Sequence, residues 1–512
     1  MELVEINRLL GELEEKFPVD EWLIDGVHVW PIVRIKLFLR ARISHADEGK
    51  FDLSEDFLKK IWFHALMIIK GLPKFVSAYI LDHEHNKKPI DPVDALLISD
   101  GLSFDFIQGE WHDRFCDPLI LKFKEYGKTS CILTLGHTYK IPRHSDSMFI
   151  QPYLDFIKIK AFLLSYNKDL LEKWLPRFDE MLGFVDRKKL PFSLPDITDL
   201  CRCVGEIRMQ AKYLKKIMRL TRPKVAIFSS YYDMSGWALN LACRDLGILS
   251  VDIQHGAQGS GHPAYSSWDR IPESGYELLP SIFWSWTSYE AKTINDWCGK
   301  VKKFHQPIVG GNLWLDFWKR KGNELVMVYD EKIKDIKKVS SRQIHVLVTL
   351  QTYFTEELVR LLIPVMKKSS EKISWWFREQ LTADAGTQQI NVEQILKEGK
   401  VSNYVIKEAT EYPLGALLRS MDVLVTLGSS TIIDAESFRV PSVTICTEKD
   451  ALFLGQFKSG ITVQAKTPED IEKAVQSQYE KWRQKKDWDS KQVMKDESST
   501  MEKLLGIIEN SS

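Results

Sequence analysis

The stretch DVLVTLGSSTIIDAESFRVPSVTIC, Asp422–Cys446, changes its hydrophobic pattern twice. Val423-Leu424-Val425 is short, apolar and β-branched, the pattern of a buried strand. Gly428-Ser429-Ser430-Thr431 then supplies a turn of small residues. Ile432 to Phe438 reads as a helix, and Pro441 opens a second apolar run at Val443-Thr444-Ile445. Strand, turn, helix and strand form the unit of a parallel sheet. The turn lies at a strand's carboxyl end and a helix's amino end, where unpaired N–H groups and the helix dipole favour an anion. Gly428 allows close backbone approach, the hydroxyls of Ser429, Ser430 and Thr431 can donate to phosphate, and Glu436 can accept from a ribose diol. An ordinary Ser/Thr-capped βα connection has the same appearance.

The same alternation recurs upstream. Ala95 to Ile98 is a strand ending at Asp100-Gly101, Asp117 to Tyr126 a helix, and Cys131 to Leu135 a strand. Residues 150–220 read as mostly helical. Val225 to Phe228 is a strand, Ser235 to Leu246 a helix stopped by Gly247, and Ile248 to Ile253 a strand. Ile282 to Trp284 is a strand, and Thr287-Ser288-Tyr289-Glu290 is a capping box. A second series starts at Ile344 to Thr349. It continues through helix Thr355–Lys368, strand Ile373–Phe377, helix Asn391–Glu398, strand Tyr404–Ile406 and helix Pro413–Ser420 into the stretch quoted above. Pro468 opens a last regular helix. The pattern predicts an α/β chain with doubly wound parallel sheets in two halves of similar size.

Five segments follow. Residues 1–90 form a helical N-terminal region, 91–315 a first α/β domain, 316–342 a charged linker, 343–485 a second α/β domain, and 486–512 a polar tail that crosses back or frays. Ile61 to Leu81 is apolar but interrupted by Lys70, Gly71, Pro73 and Lys74. It suits a membrane interface with snorkelling lysines, or helices packed on the next domain.

Composition narrows the function classes. Of 512 residues 44% are apolar and 27% charged, which is globular. Lysine plus arginine and aspartate plus glutamate each number 70, so no global basic field exists for nucleic acid. Seven scattered cysteines, with only Cys201-x-Cys203 close together, point to reduced thiols and a cytoplasmic setting. The acidic amphipathic start MELVEINRLLGELEEKF is unlike a signal peptide. No run is long and apolar enough to be a clear membrane span.

Several residues stand where open α/β sheets place ligands. Gln254-His255-Gly256 ends a strand, and a histidine there can act as a base or donate to phosphate. It can equally be structural. A long loop rich in Gly, Pro, Ser and Tyr follows it to Pro280, and loops of such length are functional or disordered. Asp100 and Asp233 each end a strand, as a base for an acceptor hydroxyl or as a helix cap. Arg378 follows Trp375-Trp376-Phe377, as a phosphate fork or a surface ion pair.

Together these features resemble the GT-B glycosyltransferases, which carry two facing Rossmann-like domains. The residues concerned are SMDVLVTLGSSTIIDAESFRVPSVTI, Ile308-Val309-Gly310-Gly311-Asn312 and Gln254-His255-Gly256. The pattern is most similar to bacterial capsule and surface-polysaccharide transferases of the Kdo, sialic-acid and CDP-glycerol types, over roughly residues 90–480. The resemblance implies a nucleotide-sugar donor on the second domain and a glycan or lipid-linked glycan acceptor on the first. Ser429, Ser430 and Thr431 would hold donor phosphate, Glu436 the ribose or sugar, and His255 would face the cleft. Relatives often carry Arg-x-His-Pro where this chain has Arg378-Glu379-Gln380, which leaves the donor open. No metal or cofactor is called for, in keeping with phosphates handled by a helix dipole and side chains. Peripheral contact with the cytoplasmic face of the inner membrane would suit a lipid-linked acceptor. In the mechanism so implied, His255, Asp233 or Asp100 deprotonates the acceptor and the Gly428–Thr431 turn stabilises the leaving nucleotide. A nucleotide-sugar 2-epimerase shares the fold and the serine-to-glutamate motif. A non-catalytic glycan- or nucleotide-binding assembly partner is the remaining alternative.

Overall fold

A computed structural model of the chain describes residues 3–43, 91–136, 147–164, 171–188, 194–320, 322–351, 355–379, 392–445, 452–483 and 490–510, with a few single positions between them. The apolar segment Ile61–Leu81 lies outside the described residues almost entirely, and so does Cys446. The chain forms two compact units. One contains residues 1–104, 113–310 and 500–512, the other residues 105–112 and 311–499.

The first unit is built on a seven-stranded sheet. Its strands in chain order are β1 Ala95–Ser99, β2 Ser130–Thr134, β3 Ser147–Phe149, β4 Val225–Ser229, β5 Leu249–Ile253, β6 Ile282–Ser285 and β7 Gln306–Val309. Their order across the sheet is β7-β6-β5-β4-β1-β2-β3, every neighbouring pair parallel. The central strands are apolar on both faces, as β1 with Leu96 and Leu97 and β4 with Ala226 and Ile227 show. Helices cover both faces, so these strands read as continuous apolar runs. The crossover helix Ile197–Thr221 is capped by Asp196 and buries Leu200, Val204, Ile207 and Leu214.

The second unit repeats the plan with six strands: β8 Ile344–Thr349, β9 Ile373–Arg378, β10 Tyr404–Val405, β11 Val423–Thr426, β12 Ser442–Thr444 and β13 Thr462–Gln464. Their order is β10-β9-β8-β11-β12-β13, again all parallel. Val346, Val348, Trp375, Phe377, Val423 and Val425 form its core with Leu358, Leu362 and Ile471. Each sheet starts in the middle, runs to one edge, returns and runs to the other. This is Rossmann order, and the chain is an α/β protein with two Rossmann-like domains.

The N-terminal region belongs to the first unit. Helices Leu3–Lys16 and Trp30–Ile43 are joined through strands Leu23–Ile24 and Val27–His28, which pair antiparallel about Asp25-Gly26. Both turn residues have positive φ, as a two-residue hairpin turn demands. Strand Lys173–Trp174 joins them to make a small three-stranded sheet. This sheet interrupts what the sequence presents as a helical region.

Residues 316–342, expected as a linker, hold the end of helix Leu313–Lys319 and helix Glu324–Ser340. Trp318, Val326, Tyr329 and Ile333 are buried there, so the charges belong to the solvent face of amphipathic helices. The tail contains helix Ser490–Asn510, and Thr500 Oγ1 donates to Val309 O at 3.1 Å within the first unit. Among the described residues no helix is long and apolar enough to cross a membrane. The six described cysteines are buried free thiols.

Candidate functional site

In sheets of this order, ligands bind at the carboxyl edge where the strand order reverses. In the second unit that point lies between β8 and β11. Thr349 Oγ1 donates to Thr426 Oγ1 at 2.9 Å and ties the two strand ends together. The next residues on β11's side are Leu427 and Gly428, the latter at φ 90°. A residue with a Cβ rarely adopts that backbone, so glycine suits the turn. Ser429 Oγ accepts from Thr431 N at 3.3 Å and lies 3.0 Å from Thr431 Oγ1. Ser430 occupies the N-cap position of helix Thr431–Ser437 without a side-chain cap bond. The turn therefore does not spend its middle hydroxyl on capping its own helix. Glu436 lies one to two turns on, partly buried, and accepts from Gln456 Nε2 at 2.6 Å.

Arg378 ends β9 on the other side of β8. Its Nη1 donates to the carbonyls of Ala409, Thr410 and Tyr412 at 2.9, 3.2 and 2.5 Å. The guanidinium thus braces residues 409–412.

In the first unit the order reverses between β1 and β4. Asp100 follows β1 and accepts from Leu102 N, Ser103 N and Ser103 Oγ at 2.8, 2.8 and 2.6 Å. Both its oxygens serve the turn that leads into strand Phe104–Ile107. β4 leads through Ser230, at φ 65°, to Tyr231, Tyr232 and Asp233. Asp233 caps helix Met234–Leu246 by accepting from Gly236 N at 2.6 Å. Its side chain reaches solvent, yet protein surrounds it at longer range. That enclosure, reinforced by the charge of Asp100, raises its carboxyl to about 6. Helix and strand end approach closely here. A Cβ on Gly236 would lie 2.7 Å from the carbonyl oxygens of Ser230 and Tyr231.

β5 ends in Gln254-His255-Gly256. Gln254 is buried, accepts from Trp286 N at 2.6 Å and donates to Gly256 O at 2.9 Å, which fixes the turn. His255 is partly buried, with Nε2 3.2 Å from the Tyr232 hydroxyl. Burial lowers its pKa, opposed by the charge of Asp100. Near neutral pH it is a neutral imidazole, able to take a proton. Asp100, Asp233 and His255 therefore share one sheet edge.

Three features of this edge escape sequence reading. Asp252, on β5 below His255, is buried and accepts from Tyr231 N at 3.1 Å and Tyr265 Oη at 3.0 Å. Burial raises its carboxyl to about 8, against the lowering effect of those hydrogen bonds. An aspartate inside the apolar run of β5 is the signal that marks it. Tyr232, beside His255, is the second. The third is the packing of the loop to Pro280. Ala264, Tyr265, Trp268, Tyr276 and Leu278 are buried in it. Arg34, from the N-terminal helices, donates to the carbonyls of Pro263, Ser266 and Ser267 and stands over the Trp268 ring at 4.5 Å. The loop thus wraps a buried guanidinium and is ordered by it. Among the described residues no group of three or more His, Cys, Asp or Glu side chains is arranged to hold a metal ion.

No protein-family model matches the sequence, and no curated protein matches it. Solved structures similar to this chain include UDP-GlcNAc 2-epimerases and a glycosyltransferase. The UDP-GlcNAc 2-epimerase from Neisseria meningitidis, bound to UDP-GlcNAc, is 15% identical, with 76% of this chain and 93% of that chain covered and a TM-score of 0.44. The UDP-GlcNAc 2-epimerase from Methanocaldococcus jannaschii, in complex with UDP-GlcNAc and UDP, is 13% identical, covering 77% and 94% at 0.44. The glycosyltransferase SnogD from Streptomyces nogalater is 13% identical, covering 82% and 100% at 0.40. Likeness at this level assigns no function.

Proposed function

We propose that the chain is a glycosyltransferase that moves a sugar from a nucleotide-activated donor to a hydroxyl of a surface-polysaccharide glycan. The observation that carries this reading is the position of Gly428-Ser429-Ser430-Thr431 at the switch point of the second sheet, with the Ser430 hydroxyl outside any capping bond. Ser429, Ser430, Thr431 and the turn's N–H groups take the donor phosphates. Glu436, already oriented by Gln456, takes the ribose or sugar hydroxyls. Arg378 keeps residues 409–412 in place beside them. The first domain holds the acceptor. Asp233, whose carboxyl is raised to about 6, or His255, which burial keeps as a neutral imidazole, removes the proton of the attacking hydroxyl. Bond formation at the anomeric carbon releases the nucleotide, whose charge the Gly428–Thr431 turn receives. The surface-polysaccharide class, and docking at the inner membrane, follow from the resemblance in the final motif.

The pairing of a raised carboxyl at Asp233 with a neutral imidazole at His255 also suits an epimerase, which moves protons without an acceptor. Dependence of donor turnover on added glycan separates the two.

The experiment is a thermal-shift panel of UDP, GDP, CMP, CDP and TDP. A nucleotide at about 100 times its dissociation constant adds roughly 2.7 kcal/mol to stability. One selective response, lost in Ser430→Ala, is expected. A response that Ser430→Ala leaves unchanged places the nucleotide elsewhere and overturns the site.

A further inference from the structure

We infer that a pocket in the first domain is a subsite for an acetamido group on the acceptor sugar. The inference rests on the reading above that this domain holds the acceptor. The pocket opens at the carboxyl edge between β1 and β4, beside Asp233, and has a volume of about 40 Å³. A water needs about 10–15 Å³ of such space, so a group of about three or four heavy atoms fits.

Its walls come from several elements of this one domain. Phe228 of β4, Leu154 of helix Gln151–Leu164, Leu214 of helix Ile197–Thr221 and Leu239 of helix Met234–Leu246 supply apolar surface. All four are buried. The polar side chains that line it are those of Asp100, Asp233, Ser229 and Ser235. An acetamido group meets each demand. Its methyl fills the apolar end, its N–H donates to a carboxylate, and its carbonyl accepts from a serine hydroxyl. A bare hydroxyl placed against the apolar walls would lose water without a partner. A free amine would satisfy the carboxylate and leave the apolar end unfilled.

Saturation-transfer NMR on the full chain tests this, with N-acetylglucosamine, glucose and glucosamine as probes. N-acetylglucosamine is expected to bind at least tenfold more tightly than either, with the acetyl methyl protons receiving the largest saturation. Leu214→Phe, which fills the pocket from its wall, is expected to remove that preference and to leave the nucleotide response of the second domain unchanged. If Leu214→Phe does not fold, the wild-type comparison decides alone. Equal binding of glucose, tighter binding of glucosamine, or saturation that bypasses the methyl each overturns the inference. A nucleotide response without acetamido preference sinks this subsite and leaves the donor reading standing. Loss of the nucleotide response sinks the donor reading itself.

Discussion

Removing Glu14 strands a charge that the fold has no other means to neutralise. Arg34 and Glu14 are both completely buried, with Nη1 and Oε1 2.5 Å apart. Glu14 also accepts from Trp30 Nε1 at 2.7 Å and from Asp269 N at 2.6 Å. In Glu14→Ala the guanidinium keeps its three carbonyls but loses its counter-charge, while Trp30 and Asp269 lose their acceptor. Breaking a buried pair from one side costs about 3–5 kcal/mol. At about 2–4 °C per kcal/mol, the first unit should melt on the order of 10 °C lower. The reverse deletion behaves differently. Arg34→Met orphans the carbonyls of Pro263, Ser266 and Ser267, but the carboxyl of Glu14 can protonate and a guanidinium cannot. Burial already raises the Glu14 pKa, with the charge of Arg34 opposing. Without Arg34 the folded-state value rises further. That contribution to stability is present below the unfolded pKa and is lost as pH rises through the folded one. Arg34→Met should therefore recover part of its loss, relative to wild type, between pH 7.5 and pH 5, and Glu14→Ala should not. Calorimetry at the two pH values checks this. A Glu14→Ala loss below about 1 kcal/mol, or parallel pH responses in the two variants, would refute the account of how the 254–280 loop is held.

Other expectations follow from single contacts. Asp252 titrates at about 8 when folded, so wild type should lose stability as pH rises from the ordinary carboxylate range toward 8. Asp252→Asn should flatten that loss by about 2–3 kcal/mol between pH 5 and 7, read from urea midpoints, and identical slopes would show the carboxyl to be ionised in the fold. Gly310→Ala places a Cβ 1.9 Å from a ring atom of buried Trp284 and should cost about 1–3 kcal/mol or more; a wild-type melting temperature would contradict that contact. Once a turnover assay exists, Asp233→Asn should abolish an acid limb near pH 6 in kcat/KM, with His255→Ala lowering kcat. A limb that persists in Asp233→Asn removes that residue from the base role.

What the sequence shows plainly is whatever short-range patterning encodes. β8 and helix Thr355–Lys368 fall where periodicity puts them, and the capping boxes at Thr287 and Thr467 form with both reciprocal bonds. The Gly428–Thr431 turn stands at a strand-to-helix junction because glycine and hydroxyl residues mark such junctions in any context. Its place at the switch point is another matter, because strand order is a long-range property that no local window contains. The Asp25-Gly26 pair is a local hairpin signal, but an apolar, Trp-rich surround hides it among helices. The burial of Arg34 was beyond reach for the same physical reason as the order of the 254–280 loop. Each is explained only by the other, across some 230 residues of chain. A basic helix reads from sequence as a solvated or membrane-facing surface until the carbonyls that receive its guanidinium are known. His255 shows the same dependence. Its place at a strand end is legible, but its neutral state comes from burial and its orientation from Tyr232, which no spacing rule links to it. The chemistry of this edge is therefore carried by pairs of residues distant in sequence, and substitutions in the N-terminal helices should reach it through the loop that Arg34 holds.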